Sequence, residues 1–586
     1  MEEVIYSYYV WIVVISSIFM FITAAGIGAN DVANAFATSV GSKALSMKAA
    51  VAIAAVCELG GALVMGSHVT ETIRKGIAKT ECFEDTPAQL MYGCMWVLAS
   101  VGAWLFLASK YEMPVSTTHS TVGGMIGMAI ALGGPGCVNW IKMKDEFPYV
   151  GGVGGIVMSW FFSPILSCLL GMALYAITRL AVLRHSDSFK RALYAFPVIV
   201  GITVMINAFF IIYKGGKGIG TDDLPSWAVF TMSIGIGLVS GLIMIPVVPL
   251  LRDCVLKKYV TDSKTVDIEL GATASGTENG DPLPDQHKSE KNADEDLGAI
   301  TPKKETVEVE AIGDNEDNEA SYEEDETKQT KATDFFGKME DEVNDIQDDE
   351  TVMNIHDAAE KFDPKTEEFF KYIQIFTAIC DAWSHGANDV ANAVGPFAAV
   401  LAIWLTGSVT KKNDLGLQIY WILALGGLGI VVGLLVYGHK IIKAIGTKLT
   451  KITPSRGFAI ELGSAIVIII GSRLGIPLST THCQVGATLG IGILECDVNN
   501  EAKKKEKNCL KSCKCLGINC KVLLKTFFGW IITLVVVGGS TALLTAQGVY
   551  GPCMNAMNSN FSTNVYALDA ENVSRLVVGE FGHVSV

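Results

Sequence analysis

The stretch "GIGANDVANAFATSV", residues 26 to 40, places a carboxylate and two carboxamides inside a segment otherwise apolar enough to lie in a bilayer. These side chains belong to Asn30, Asp31 and Asn34. Polar and ionisable groups are expensive in a membrane, so each of them is a functional candidate by default.

The same pattern returns at 384 to 400 as "SHGANDVANAVGPFAAV", 358 positions further along, with Asn388, Asp389 and Asn392. A second motif also occurs twice: "PVSTTHSTVGGMIG" at 114 to 127 reappears as "PLSTTHCQVGATLG" at 477 to 490, an offset of 363. Two different motifs that recur in the same order at nearly the same offset indicate a duplicated unit.

The composition is that of a polytopic membrane protein. Of 586 residues 50% are hydrophobic, and the mean hydropathy is +0.38. Ten apolar runs are long enough to span a bilayer, and shorter ones at 114 to 133 and 477 to 494 raise the number to about twelve. The first run lacks a basic leader and a cleavage site, so we expect a retained span. The predicted fold is all-α.

One segment has a different composition. Residues 261 to 360 contain 31 acidic and 8 basic residues, a local net charge of −23 against −15 for the whole chain. Such a segment should be disordered. We therefore predict an N-terminal membrane half at 1 to 250, an acidic loop at 251 to 370, a C-terminal membrane half at 371 to 546 and a tail at 547 to 586.

The basic residues predict the orientation. The connections at 179 to 191, 439 to 456 and 503 to 514 are rich in Lys and Arg, and cytoplasmic loops carry such an excess. If twelve segments alternate, these connections and the acidic loop are cytoplasmic and both termini are extracellular. The tail then carries two potential glycosylation sequons on the outer side, at Asn560 and Asn572.

This orientation makes the repeats inverted, because the first G-A-N-D segment runs inward and the second runs outward. Inverted repeats with interrupted helices near the midplane are a common construction in secondary transporters. Gly26, Gly28 and Gly386 are predicted to break the helices at the two motifs.

The S-T-T-H motifs predict an anion site. Pro114 and Pro477 should each start a short helix or the turn before it, as part of a re-entrant hairpin or a broken spanning helix. Helix N-termini with free N–H groups and nearby hydroxyls suit the oxygens of a tetrahedral oxyanion. The candidate substrate-binding residues are Ser116, Thr117, Thr118, Ser479, Thr480 and Thr481, together with Asp31 and Asp389.

Two buried aspartates and an anion cannot share a site without cations. Carboxylate and carboxamide oxygens are hard ligands that suit Na⁺, and the candidates are Asn30, Asp31, Asn34, Asn388, Asp389 and Asn392. Protons on Asp31 and Asp389 are the competing solution. In either case the cation and the anion bind better together, which is the basis of symport.

These motifs, with "CELGGALVMGSHVTETIRKGI" at 57 to 77 and "TPSRGFAIELGSA" at 453 to 465, resemble those of the inorganic phosphate transporter family, the eukaryotic sodium-dependent phosphate symporters. The resemblance implies phosphate binding by the S-T-T-H helix ends and Na⁺ sites at the G-A-N-D motifs. It also implies transport roles for Glu58 and Glu461, a homodimer and a plasma-membrane location. The expected partners are inorganic phosphate, Na⁺ and lipid, with no nucleic acid and no cofactor.

Several alternatives remain open at this point. Glu58 and Glu461 can be satisfied by neighbouring hydroxyls, and His119 and His482 can be helix-facing histidines bonded to carbonyls rather than phosphate ligands or proton carriers. Sulfate is the nearest alternative substrate, although it cannot donate a hydrogen bond to Asp31 or Asp389.

The rivals from other classes are a non-transporting receptor or sensor and an intramembrane enzyme that uses Ser116 with His119, or Asp31 with Asp389, as catalytic groups. Because no third orienting residue is evident for the enzyme, we predict that the protein is not an enzyme.

The fourteen cysteines are mostly isolated in apolar segments, so no disulfide scaffold is expected. A cluster in a predicted cytosolic loop is expected to be reduced. Its members are Cys509, Cys513, Cys515 and Cys520.

Overall fold

The computed structural model describes residues 2–145, 148–213, 224–258, 335–343, 350–409, 415–495 and 517–558. The chain divides into two units, Met1–Val255 with Lys338–Val586, and Leu256–Gly337. Most of the acidic loop and both sequons lie outside the described residues, so the predictions made for them are not tested. The domain boundaries likewise stay predictions.

The first unit is helical. Its N-terminal part contains α1 (Glu2–Ile27), a π-helical turn (Gly28–Val32), α2 (Ala33–Gly41), α3 (Met47–Gly76), α4 (Pro87–Lys110), α5 (Thr117–Gly133), α6 (Gly152–Thr178), α7 (Ser188–Ile212) and α8 (Ser226–Met244). Its C-terminal part contains α9 (Glu350–Ala358), α10 (Pro364–Thr406), α11 (Gln418–Gly446), α12 (Pro454–Arg473), α13 (Thr480–Leu494) and α14 (Cys520–Asn558). Two short strands, Lys142–Met143 and Val150–Gly151, pair antiparallel.

Ten helical segments in the described chain are long and apolar enough to cross a membrane. The shorter helices α5 and α13 accompany them. The predicted all-α membrane fold is confirmed.

Local sequence explains where several helices begin. Proline occupies the first turn of α4, α10 and α12, where its missing N–H removes no intrahelical bond. Ser46 and Asp363 precede α3 and α10, and their side chains accept hydrogen bonds from the backbone N–H of Ala49 and Thr366.

The prediction that glycines break the helices at the G-A-N-D motifs is wrong. The first motif is a π-helical turn within a continuous segment, and the second lies in the middle of the uninterrupted helix α10. The glycines instead permit close helix packing. A β-carbon at Gly28 would lie 1.8 Å from the carbonyl oxygen of Ile430, and one at Gly386 would lie 2.2 Å from that of Glu58.

The helices α1 and α10 run in opposite directions. Ser42, just after α2, donates to Gln374 near the start of α10 at 2.7 Å. Asp31 and Asp389, further into the two helices, both contact the hydroxyl of Thr117. Because contacts at higher numbers on one helix correspond to lower numbers on the other, the two segments are antiparallel. We call the two ends of the bundle the α1 end and the α10 end, after the helix that begins there.

The chain interruptions lie at the S-T-T-H motifs instead, in two helical hairpins. Hairpin 1 consists of α4, tip 1 (residues 111–116) and α5; hairpin 2 consists of α12, tip 2 (residues 474–479) and α13. α4 runs parallel to α1, since Trp11 contacts Tyr92 and Gly26 packs on Leu105. α12 runs parallel to α10, since Glu461 contacts Gln374 and Ser472 contacts Asn388. The hairpins therefore enter the bundle from opposite ends.

The open ends of the two hairpins are closed differently. At hairpin 1, Cys82 and Cys137 form a disulfide. At hairpin 2, the buried Arg456 pairs with Glu495 at 3.0 Å, and Glu360 bonds to Arg179 and Arg184. Burial alone would raise the pKa of Glu360, but hydrogen bonds from Arg184 and Arg179 hold that pKa below its usual value.

The cysteine predictions need two corrections. No disulfide was expected for Cys82, whose partner Cys137 lies 55 positions further along, beyond helices α4 and α5. Cys520 is disulfide-bonded, which contradicts the expectation of a wholly reduced cluster. Its three companions lie outside the described residues. Disulfides therefore occur at both ends of the bundle and do not orient it.

Candidate functional site

Each S-T-T-H motif begins a helix, as predicted, and its serine caps that helix. The Ser116 hydroxyl oxygen accepts a hydrogen bond from the backbone N–H of His119 at 3.2 Å, and Ser479 accepts one from His482 at 3.3 Å. These bonds satisfy one free N–H at the start of α5 and of α13. The two tips therefore present helix N-termini toward the middle of the bundle.

Asn30 and Asn388 hold the tips against the G-A-N-D helices. The Asn30 carboxamide accepts from the backbone N–H of Val115 at 2.9 Å and donates to the carbonyl of Met113 at 3.1 Å. The Asn388 carboxamide lies 3.1 Å from the hydroxyl of Ser472, where hairpin 2 turns. Both side chains are thus engaged with protein atoms, and their role as Na⁺ ligands stays a prediction.

Asp31 contacts both tips. Its Oδ2 accepts a hydrogen bond of 2.6 Å from the hydroxyl of Thr117 in hairpin 1 and lies 3.3 Å from the backbone nitrogen of the same residue. Its Oδ1 accepts from the hydroxyl of Thr481 in hairpin 2 and from the carboxamide of Asn34 at 3.1 Å. The carboxylate is 1% exposed, so protein donors replace water around it.

Asp389 has a corresponding arrangement. Its Oδ2 accepts a hydrogen bond of 2.6 Å from Thr480 in hairpin 2 and lies 3.4 Å from the hydroxyl of Thr117 in hairpin 1. The Nε2 atom of His385, one helical turn earlier, is 3.1 Å away. Thr117 therefore lies between the two buried carboxylates.

Asn34 and Asn392 complete the cluster. The Asn34 amide nitrogen lies 3.3 Å from the hydroxyl of Thr481, and that of Asn392 lies 3.2 Å from Thr117 and 3.4 Å from Thr118. The Oδ1 atoms of both asparagines are buried and have no hydrogen-bond partner within the described part of the chain. An unpaired buried acceptor is suited to an incoming cation.

The two tips are also bonded to each other. The hydroxyl of Thr118 donates to the carbonyl of Leu478 at 2.6 Å, and that of Thr481 lies 3.2 Å from the carbonyl of Val115. All six predicted hydroxyl residues thus lie at the junction of the hairpins, and three of them, Thr117, Thr480 and Thr481, contact an aspartate directly.

His119 and His482 lie behind the tips. Their rings are 4.7 Å apart, His119 stacks on Trp160 at 3.6 Å, and His482 packs against Trp530 at 3.7 Å. The His482 Nδ1 atom is 3.0 Å from the carbonyl of Trp160. This geometry matches the packing alternative better than direct substrate contact.

Glu58 reaches the aspartates through a histidine. Its Oε2 lies 2.9 Å from the Nδ1 of His385, whose other ring nitrogen faces Asp389. Glu461 instead accepts hydrogen bonds from four side chains and makes no contact with either aspartate. Its donors are Thr38 at 2.5 Å, Ser39 at 2.6 Å, Thr377 at 2.7 Å and Gln374 at 3.1 Å.

Sequence reasoning missed a stripe of ionisable residues on α10. Asp381, His385 and Asp389 are four residues apart, so they lie on one helix face, and this spacing was a readable signal. All three are buried. Asp381 accepts from Ser464 at 2.9 Å and from Gln484 at 3.0 Å.

The cluster has the donor set of a cation site. One ligand atom each of Asp31, His385 and Asp389 lies within 4.8 Å of the others. With the unpaired oxygens of Asn34 and Asn392, oxygen atoms predominate around this point. Such hard ligands suit Na⁺ better than a transition metal.

Comparison with known proteins relates this geometry to a family. A family model described as "Phosphate transporter family" matches residues 27–541. The chain belongs to the phosphate transporter family. It is therefore a transporter by family and not an enzyme, as predicted.

Relatives of this phosphate transporter family member come from several kingdoms. It is 28% identical to a phosphate-repressible phosphate permease of Neurospora crassa, over 90% of this chain and 95% of the relative. It is 31% identical to a putative phosphate permease of Haemophilus influenzae, over 84% and 90%. It is 27% identical to sodium-dependent phosphate transporter 1 of Rattus norvegicus, over 92% and 95%.

A solved structure entitled "The sodium-dependent phosphate transporter" superimposes with a TM-score of 0.61 at 28% identity, covering 91% of this chain and 98% of that one. This transporter family member therefore shares the fold of a sodium-dependent relative.

Proposed function

We propose that this protein imports inorganic phosphate by symport with Na⁺, through alternating access between two inverted repeats. The observation that carries the proposal is the meeting of Asp31 and Asp389. The two carboxylates come from antiparallel helices, are 1% and 0% exposed, and share the hydroxyl of Thr117 at the N-terminus of α5.

Electrostatics explains why a cation must accompany the anion. Two unit charges 4 Å apart repel by about 4 kcal/mol even at an effective dielectric constant of 20. Two ionised aspartates therefore exclude a phosphate from the same pocket unless positive charge enters with it. Na⁺ ions held by the aspartates and by the free oxygens of Asn34 and Asn392 supply that charge.

The helix N-termini supply the anion-binding half. Each carries roughly half a positive charge, and the tips add the hydroxyls of Thr117, Thr480 and Thr481. These hydroxyls now donate to the aspartates. When Na⁺ neutralises the carboxylates, the same hydroxyls can turn to phosphate oxygens, so that each ion raises the affinity for the other.

The direction of the helices supports inverted repeats. The G-A-N-D helices are antiparallel, and the two hairpins reach the site from opposite ends of the bundle. A site between two mirrored tips can be uncovered toward either side by moving one tip at a time. This arrangement accounts for alternating access without moving the carboxylates across the membrane.

The charges support the predicted orientation. Arg179, Arg184 and Arg456 lie at the α10 end, which is therefore assigned to the cytoplasm with the acidic loop. Both termini are then extracellular. We assign the protein to the plasma membrane. The homodimer stays a prediction from family resemblance.

Uptake into proteoliposomes tests the function. Radiolabelled phosphate should accumulate with an inward Na⁺ gradient, and neither a pH gradient nor equal ion concentrations should replace it. Excess unlabelled sulfate should not compete, because sulfate has no proton to donate to Asp31 or Asp389. Accumulation driven by the pH gradient alone would favour proton coupling, and no accumulation under any gradient would favour the receptor alternative.

A further inference from the structure

We propose that Asp381, acting through Gln484, is a positioning residue for the Na⁺ ligands around Asp31. This inference rests on the function proposed above. Asp381 does not touch Asp31 or Asp389. It is 1% exposed and lies two helical turns before Asp389 on α10. Burial of a carboxylate costs free energy unless protein groups bond to it. The groups that bond to Asp381 connect it to the neighbours of Asp31.

The first link is the pair between α10 and α13. The Gln484 amide donates to Asp381 Oδ2 at 3.0 Å, while the Ser464 hydroxyl donates to Asp381 Oδ1 at 2.9 Å. These two donors hold the carboxylate in one orientation. Gln484 is 2% exposed, so bulk solvent does not compete for this bond.

The second link runs from Gln484 to the first repeat. The same amide nitrogen lies 3.3 Å from the backbone carbonyl of Asn34, which carries one of the two unpaired side-chain oxygens of the site. Gln484 also follows Thr481 by one helical turn, and Thr481 and Asn34 both bond to Asp31. Through Gln484, Asp381 therefore holds the backbone of Asn34 and contacts the helix that carries Thr481.

The opposite half performs the same task without a carboxylate. By the motif offset of 363, Gln484 corresponds to Thr121, whose hydroxyl donates directly to the carbonyl of Asn392 at 3.0 Å. A short hydroxyl bonded straight to the backbone is held by its own helix. The longer glutamine has more rotamer freedom, and the bond to Asp381 removes that freedom.

Loss of such an outer partner weakens metal binding without removing a ligand, typically by 10- to 100-fold. We therefore expect Asp381→Asn to raise the Na⁺ concentration for half-maximal phosphate uptake by about tenfold. The KM for phosphate at saturating Na⁺ and the maximal rate per surface molecule should stay close to wild type. Gln484→Leu should have the same effect.

The double variant distinguishes positioning from long-range charge. If Asp381 acts through Gln484, Asp381→Asn with Gln484→Leu should shift the Na⁺ dependence no further than either change alone. Additive shifts, or a Gln484→Leu variant with wild-type Na⁺ dependence, would overturn the proposal. A fall in maximal rate with unchanged Na⁺ dependence would also overturn it, since that is the effect of a merely structural contact.

Cys380→Ala, a change at the adjacent buried residue, is the matched control and should leave Na⁺ dependence unchanged. The Na⁺-induced rise in melting temperature of the purified full-length protein gives a readout independent of transport, and it should require about tenfold more Na⁺ in both single variants. If Asp381→Asn does not reach the membrane, Gln484→Leu carries the test. A wild-type protein without Na⁺-dependent uptake contradicts the proposed function, whereas normal variants beside a Na⁺-dependent wild type contradict only this inference.

Discussion

The surroundings of Asp31 and Asp389 follow one pattern, whereas the further carboxylates around them all lie on or against the single helix α10. Each aspartate accepts a hydrogen bond from the first threonine of a hairpin helix. Each asparagine of the first G-A-N-D motif has an equivalent in the second. By the motif offsets, however, Asp381 corresponds to Thr23 and Glu461 to Leu98. The hydroxyl of Thr23 donates to the carbonyl of Leu98 at 2.7 Å, so these two counterparts lie together without an ionisable group.

The difference separates two roles of the duplicated sequence. The shared residues build a pocket with two equivalent tips, which is what a site exposed to either side needs. The unshared ionisable groups, including His385 between Glu58 and Asp389, all lie on or against α10 and α12. The residues of the binding pocket are therefore shared by the two repeats, whereas the ionisable groups that surround the pocket are not.

The largest expected effect tests the symmetric part. Asp31→Asn and Asp389→Asn should each abolish Na⁺-driven phosphate uptake, because each removes one of the two carboxylates that hold the cations. Surface biotinylation provides the control for expression. Unchanged uptake in both variants would refute the site, and loss in only one would show that the two halves of the pocket are not equivalent.

The paired glycines give the next largest effect, on folding. Ala at Gly28 or Gly386 places a β-carbon 1.8 Å or 2.2 Å from a carbonyl oxygen of a neighbouring helix, so the backbones must separate. We expect both variants to lose most folded protein by size-exclusion chromatography. Gly235→Ala is the control, since no described atom outside its own helix backbone lies within 4 Å of the added carbon. Normal folding of both core variants would contradict the close packing.

The hydroxyls of the tips sharpen the comparison. Among the described residues, the hydroxyl of Thr117 contacts Asp31, Asp389 and Asn392, whereas that of Thr480 contacts Asp389. Thr117→Val should therefore reduce uptake more than Thr480→Val, each lost bond to a charged group being worth about 1.5 to 3 kcal/mol. Measurement of uptake against phosphate concentration checks this order. Equal losses would indicate that the contacts of Thr117 with the second repeat contribute nothing.

The smallest effect concerns the open ends of the hairpins, where hairpin 1 has a disulfide and hairpin 2 has ion pairs. Glu360→Gln should lower the melting temperature at neutral pH by a few degrees at most, because Arg179 and Arg184 lose their carboxylate. The pKa of Glu360 lies below its ordinary value of 4.5, so the stabilisation is present above that pH and is lost as the pH falls through the folded-state pKa.

Wild type and Glu360→Gln should therefore converge in thermal unfolding as the pH falls through the folded-state pKa of Glu360. The melting temperature of wild type after reduction of the Cys82–Cys137 disulfide gives the corresponding measurement for hairpin 1. A difference between wild type and Glu360→Gln that persists at low pH would show that packing, not charge, accounts for it.

Much of the fold was readable from the chain because its signals are local. Apolar length defines the spans, proline and serine mark the start of α5 and α13, and two repeated motifs identify the elements of the pocket. The role of the glycines was misread for a physical reason. A glycine that permits a helix break and one that permits a close helix contact look alike in sequence, and only the neighbouring backbone at Ile430 or Glu58 distinguishes them.

By itself the sequence determined the class of protein, the duplicated polar motifs and the residues able to bind an anion and a cation. The tertiary structure alone decided which of them meet. Asp31 and Thr481 are 450 residues apart, and His385 joins Glu58 to Asp389 across two helices. Helical periodicity specifies which face of a helix is polar but not which helix will cover it, and that choice depends on the packing of the whole bundle.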